Sequence, residues 1–94
     1  MTKKAFSILI VDDEEAVRYM LSSLISGSGY TVDTAADGVA AINALQNKLF
    51  HLVLSDVKMP KVDGVEVLKF GKTTYPSIEV IMLTGVNDIN IAGE

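Results

Sequence analysis

An α/β fold with a parallel sheet is what this sequence predicts, and two observations carry the prediction. Four short apolar runs, at 6–11, 30–35, 52–55 and 78–83, alternate with stretches whose apolar residues recur at helical spacing. The connections between them are short, and no repeat, low-complexity tract or linker interrupts the alternation. The 94 residues make one domain, 1–94, with a single small core.

The first run, Phe6-Ser7-Ile8-Leu9-Ile10-Val11, is almost continuously apolar, as a strand covered on both faces should be, so it reads as the central strand. Asp12-Asp13-Glu14-Glu15 follows and puts acidic groups in the first turn of a helix, where the helix dipole favours them. Val17, Met20, Leu21, Leu24 and Ile25 then supply its apolar stripe, with Met20 read as core filler, and Gly27-Ser28-Gly29 stops it. Tyr30 to Ala35 is the second strand. Asp37-Gly38 opens a second helix, expected to turn Val39, Ala41, Ile42 and Leu45 inward.

His51 precedes the third strand, Leu52-Val53-Leu54-Ser55, and reads as a boundary residue rather than a ligand. Asp56 leaves that strand, Met59-Pro60 imposes an extended turn, and Asp63-Gly64 caps a third helix over about 65–73, weakened internally by Gly71. Phe70 lies off its inner stripe and is expected to be exposed. Tyr75-Pro76 ends the helix, and the fourth strand closes at Thr84-Gly85 with Met82 as core filler.

Composition excludes several functions. An apolar fraction of 49% with charges of both signs is that of a globular protein. The net charge is -4 and the basic cluster is Lys3-Lys4 at the terminus, which argues against direct nucleic-acid binding. With no cysteine there is no disulfide and no thiolate metal site, which fits a reducing compartment. The apolar runs are too short to span a bilayer, and no signal-like region follows Met1, so a cytoplasmic protein without membrane contact is expected.

Ligands of open parallel sheets bind beyond the carboxyl ends of the strands, where the strand order reverses. Asp12 and Asp13 leave the first strand, Asp56 the third and Thr84 the fourth, so these groups should converge on one edge. Taken alone, Asp12 and Asp13 would serve as a helix cap, and Asp56 as a turn residue. Together they make a cluster of carboxylates that repel one another unless a cation neutralises them. A hard divalent ion is the remedy, and magnesium, which keeps waters and takes phosphate oxygens, suits an open carboxylate site better than calcium, zinc or iron. An aspartate beside such an ion can attack a phosphoryl group and form an acyl phosphate, and Asp56 is the best placed to do so.

The segments Ile10-Val11-Asp12-Asp13-Glu14, Leu54-Ser55-Asp56-Val57-Lys58-Met59-Pro60 with Asp63-Gly64, and Met82-Leu83-Thr84-Gly85 together resemble the receiver domain of bacterial response regulators of two-component systems. The resemblance covers residues 5 to about 92. It implies the CheY-like, flavodoxin-like doubly wound sheet with strand order 2-1-3-4 over this length. It implies a signalling phosphoacceptor rather than an enzyme in the ordinary sense. Asp56 would receive the phosphoryl group from a histidine kinase, a phosphotransfer protein or a small phosphodonor. Asp13 would bind Mg2+ directly and Asp12 through water, alongside Asp56 and the backbone carbonyl of Lys58, whose side chain is left to solvent. Thr84 would supply the switch hydroxyl, which shifts a pre-existing equilibrium.

The departures from that family lie toward the end of the sequence. The fifth strand, the lysine at its end and the fifth helix have no counterpart up to Glu94. The fourth strand is then expected to be a sheet edge, and exposed apolar edges associate, so a homodimer through that strand is expected. The alternative function is a truncated interaction or dimerisation module that binds a partner without productive phosphorylation. An aspartyl phosphatase fits less well, because Lys58 stands where its second carboxylate belongs, and a flavin-binding domain would want a Gly/Ser/Thr-rich phosphate loop after the first strand.

Overall fold

The computed structural model describes residues 6–56 and 64–83. Its elements run β1 (Ser7–Val11), α1 (Glu15–Gly27), β2 (Thr31–Ala35), α2 (Gly38–Asn47), β3 (Leu52–Asp56), α3 (Gly64–Thr74) and β4 (Glu79–Leu83). The strands form one parallel sheet in the order β2-β1-β3-β4. This is the predicted doubly wound arrangement. The chain steps from β1 to β2 in one direction and from β2 across to β3 and β4 in the other. Right-handed crossovers in opposite directions place their helices on opposite faces, so α1 covers one face and α2 with α3 the other.

The strand β1 is central, and its sequence shows why. Ile8, Leu9, Ile10 and Val11 are all buried, because alternate side chains serve opposite faces and both faces are covered. Leu9 and Val11 join Ala35, Ala41, Leu45, Phe50, Val53, Val67 and Ile78 in the main core, between the sheet and the α2–α3 layer. Ile8 and Ile10 lie on the α1 face.

The helix α2 starts where Asp37 accepts a hydrogen bond from the Ala40 N–H at 2.7 Å, satisfying one of the donors that a helix start leaves unpaired. It buries Gly38, Ala41 and Leu45, whereas Val39 is 45% exposed and Ile42 only half-buried. At 3.6 residues per turn Val39 lies about 100° round the helix from the Gly38–Leu45 row, too far to reach the sheet. The expected inner face is thus narrower than the apolar pattern.

A larger correction concerns α1. Val17, Leu21 and Ile25 are half-buried over β1 and β2, but Met20 and Leu24 are 53% and 64% exposed, so Met20 is not core filler. The helix rests on the two strands it connects and turns the Val17–Leu21–Ile25 row toward them. On the same face, Leu54 of β3 is half-buried and Ile81 of β4 is 49% exposed. Among the described residues β4 has a strand neighbour on one side only. Met82 is half-buried there.

The helix α3 inserts Val67 and Gly71 toward α2. A Cβ at Gly71 would stand 3.8 Å from Ile78 Cγ2 and 4.0 Å from Leu45 Cδ1, ordinary contact distances, so this glycine is not demanded by space. Phe70, expected to be exposed, is half-buried against the core. Tyr75 ends the layer by donating its hydroxyl to the Leu45 carbonyl at 2.7 Å.

At the amino ends of the strands, the Ser7 N–H donates to His51 Nδ1 at 3.0 Å and Phe6 stacks on the imidazole at 4.9 Å. His51 is half-buried at this boundary, as expected. A cavity of about 480 Å3, walled mainly by Phe6, Phe50, His51, Tyr75 and Ile78, opens at this end. It is far from the carboxylates at the other end of the sheet.

Candidate functional site

Strand register explains how the acidic residues meet. Val11 pairs with Ser55 and Asp56 with Leu83, so the residues following Val11 leave β1 beside the end of β3. Asp12, Asp13 and Asp56 each bring a carboxylate oxygen into a group lying within 4.8 Å of one another. Asp12 is buried, Asp56 half-buried and Asp13 exposed, so the cluster is open on one side.

The corner between β1 and α1 is tightly bonded. The Asp12 N–H donates to the Ala35 carbonyl at 3.2 Å, tying the strand end to β2. Asp12 Oδ1 accepts the Glu14 N–H at 2.9 Å, a local turn of the kind aspartate favours before a helix. The Asp12 carbonyl accepts Nη1 of Arg18 at 2.8 Å. On the neighbouring strand, buried Ser55 donates its hydroxyl to the Asp56 carbonyl at 3.0 Å, which satisfies a polar group that has no water to turn to. The first turn of α1 carries Glu15, with extended Glu14 as the residue before it. The helix begins at the acid cluster, as the sequence suggests.

Three oxygens this close fit a small hard cation. Two oxygens held about 2.1 Å from one ion stand at most about 4.2 Å apart, a span that modest closure of the cluster would reach. An all-carboxylate donor set suits magnesium rather than a soft metal. Lys58 and Thr84, the other expected site residues, lie outside the described residues, as does Asp63.

Arg18, bonded to the main chain of Asp12, is a residue that the apolar pattern did not single out. The available signal is its isolation: it is the chain's single arginine and the only basic side chain between Lys4 and Lys48, six positions after Asp12.

Comparison with known proteins agrees with the fold. The family model for the response regulator receiver domain matches residues 8–94. The transcriptional regulatory protein ZraR of Klebsiella oxytoca is 38% identical over 94 residues, all of this chain but 21% of that protein, so the chain spans about a fifth of the relative's length. Among solved structures, the chemotaxis protein CheY4 of Vibrio cholerae superposes with a TM-score of 0.79 at 31% identity, over 94% of this chain and 78% of its own. The response regulator TrrA of Thermotoga maritima, solved in complex with Mg(2+)-BeF, gives a TM-score of 0.81 at 30% identity, over 90% of this chain and 75% of its own.

Proposed function

The chain belongs to the response regulator receiver domain family, and from that premise we propose that it takes a phosphoryl group onto Asp56 with the help of Mg2+. The observation that carries the proposal is the meeting of Asp12, Asp13 and Asp56 oxygens within 4.8 Å at the carboxyl end of the sheet. Asp12, Asp13, Asp56 and the backbone carbonyl of Lys58 are the residues that would hold the ion. When bound, Mg2+ supplies positive charge that offsets the charge on the transferring phosphoryl oxygens.

The chain's own part in the reaction is to hold a nucleophile. A carboxylate oxygen of Asp56 forms the new P–O bond while the donor's P–N bond breaks and its electron pair returns to the imidazole of a phosphohistidine. Asp56 is half-buried, which leaves it reachable from outside while the sheet fixes its main chain. Thr84 provides the hydroxyl that bonds the phosphoryl group and shifts the inactive-to-active equilibrium. The donor is a histidine kinase or phosphotransfer protein, the setting is the cytoplasm, and the domain signals rather than turning over a substrate. Among the described residues no helix is long and apolar enough to cross a membrane.

The test is labelling. Incubated with Mg2+ and acetyl phosphate, the protein should gain the mass of one phosphoryl group, and Asp56→Asn should gain none. Absence of an adduct on the wild type, under conditions in which another receiver domain labels, would reject the reading. A partner-binding module without phosphorylation would instead bind its partner equally well with Asp56→Asn and without magnesium.

Self-association belongs to the same proposal. It is supported by the exposed Ile81 on β4 and by Met20 and Leu24 of α1 on the same side of the sheet, an apolar face that no other described element covers, since apolar groups left in water favour pairing of two copies. Light scattering at micromolar concentration should return a dimer mass; a monomer mass throughout that range rules it out.

A further inference from the structure

We propose that Arg18 is a positioning residue for the carboxylate site, holding the β1–α1 corner through the main-chain carbonyl of Asp12 so that the acidic cluster is shaped to receive a divalent cation. The inference rests on the reading of that cluster as a magnesium site.

The need for such a residue follows from the backbone. Asp12 is 7% exposed, and its carbonyl lies before the helix, whose first main-chain bond runs from the Arg18 N–H to the Glu14 carbonyl at 3.1 Å. The Asp12 carbonyl therefore takes no part in the helical ladder, and the main-chain carbonyl of a buried residue calls for a donor. Nη1 of Arg18 supplies it at 2.8 Å from the second turn of α1. A hydrogen bond from a charged donor is shorter and stronger than a neutral one. With the N–H bonded to Ala35 and Oδ1 to Glu14, it completes a set that fixes Asp12 on every side. So held, Asp12 still offers a carboxylate oxygen to the cluster.

Arg18 could act on a metal in two opposite ways. As a fixed positive charge beside the carboxylates it would repel the cation and weaken binding. As a brace it would strengthen binding by preserving the corner. The geometry favours the brace, because the guanidinium grips the main-chain carbonyl of Asp12 at 2.8 Å rather than a carboxylate of that residue. Residues that orient ligands without touching the metal commonly change affinity by tenfold or more.

The experiment is a magnesium titration of the whole chain by calorimetry, comparing the wild type with Arg18→Met and Arg18→Lys, at low and high potassium chloride. The expected result is about a tenfold weaker Mg2+ affinity for Arg18→Met. Arg18→Lys should recover part of it, because an ammonium can still donate to the carbonyl. The deficit should persist in high salt, where the opposing charge effect, which favours tighter binding by Arg18→Met, is screened. Unchanged or tighter binding by Arg18→Met overturns the proposal. So does an equal loss in Arg18→Lys; if Arg18→Met does not fold, unchanged or tighter Mg2+ binding by Arg18→Lys overturns it. Failure of the wild type itself to bind Mg2+ is the separate outcome that overturns the reading of the site, and the brace with it.

Discussion

Replacing Asp13 by asparagine is expected to raise the stability of the metal-free protein and to abolish the stabilisation that magnesium gives the wild type. Asp13 is exposed, so the substitution removes no packing, and it takes one negative charge out of a cluster whose oxygens lie within 4.8 Å. Two like charges about 4 Å apart repel by roughly 1 kcal/mol even in a water-like dielectric, and by more where protein replaces water. In the presence of the ion the sign reverses. A ligand that binds the folded state at a hundred times its dissociation constant stabilises it by about 2.7 kcal/mol, and losing a ligand carboxylate removes most of that. Urea unfolding with and without millimolar Mg2+ reads both effects. A variant that is less stable without metal, or that keeps the full magnesium response, would show that the acidic cluster is not a cation site.

The second large effect is in the core. Leu45→Ala should cost about 3–5 kcal/mol, because Leu45 is fully buried in the core between the sheet and the α2–α3 layer and the cavity left behind cannot close. A domain of this size has roughly 5–14 kcal/mol in all, so about a fifth or more of its stability is at stake. Leu24→Ala, a change of the same chemistry on α1, should stay within about 0.5 kcal/mol because Leu24 is 64% exposed. Chemical denaturation of the two variants side by side decides the matter. Equal losses would mean that Leu24 is covered in solution, as a partner or a second copy seated on α1 would cover it.

That pair of leucines also marks where sequence reasoning stops. Both lie in apolar patterns of helical period, and the period alone ranks them alike. What separates them is which strands each helix lies over. The helix α2 packs on both the sheet and its layer neighbour α3, while α1 rests on β1 and β2 and leaves Met20 and Leu24 beside a face that no other described element covers. Burial is a property of the neighbours, and the neighbours of a helix are set by crossover geometry rather than by its own residues.

Other features are local, and the sequence determined them by itself. The unbroken apolarity of Ile8 to Val11 specifies a strand with two covered faces, and Asp37-Gly38 specifies a helix start, because each depends only on nearby side chains and the backbone they accompany. The meeting of Asp12, Asp13 and Asp56 was also readable, since parallel strands deliver their carboxyl ends to one edge wherever those strands lie. Only the tertiary structure decided how that edge is held. The bond from Arg18 to the Asp12 carbonyl depends on the exact turn between β1 and α1 and on a main-chain group that looks the same at every position of a sequence.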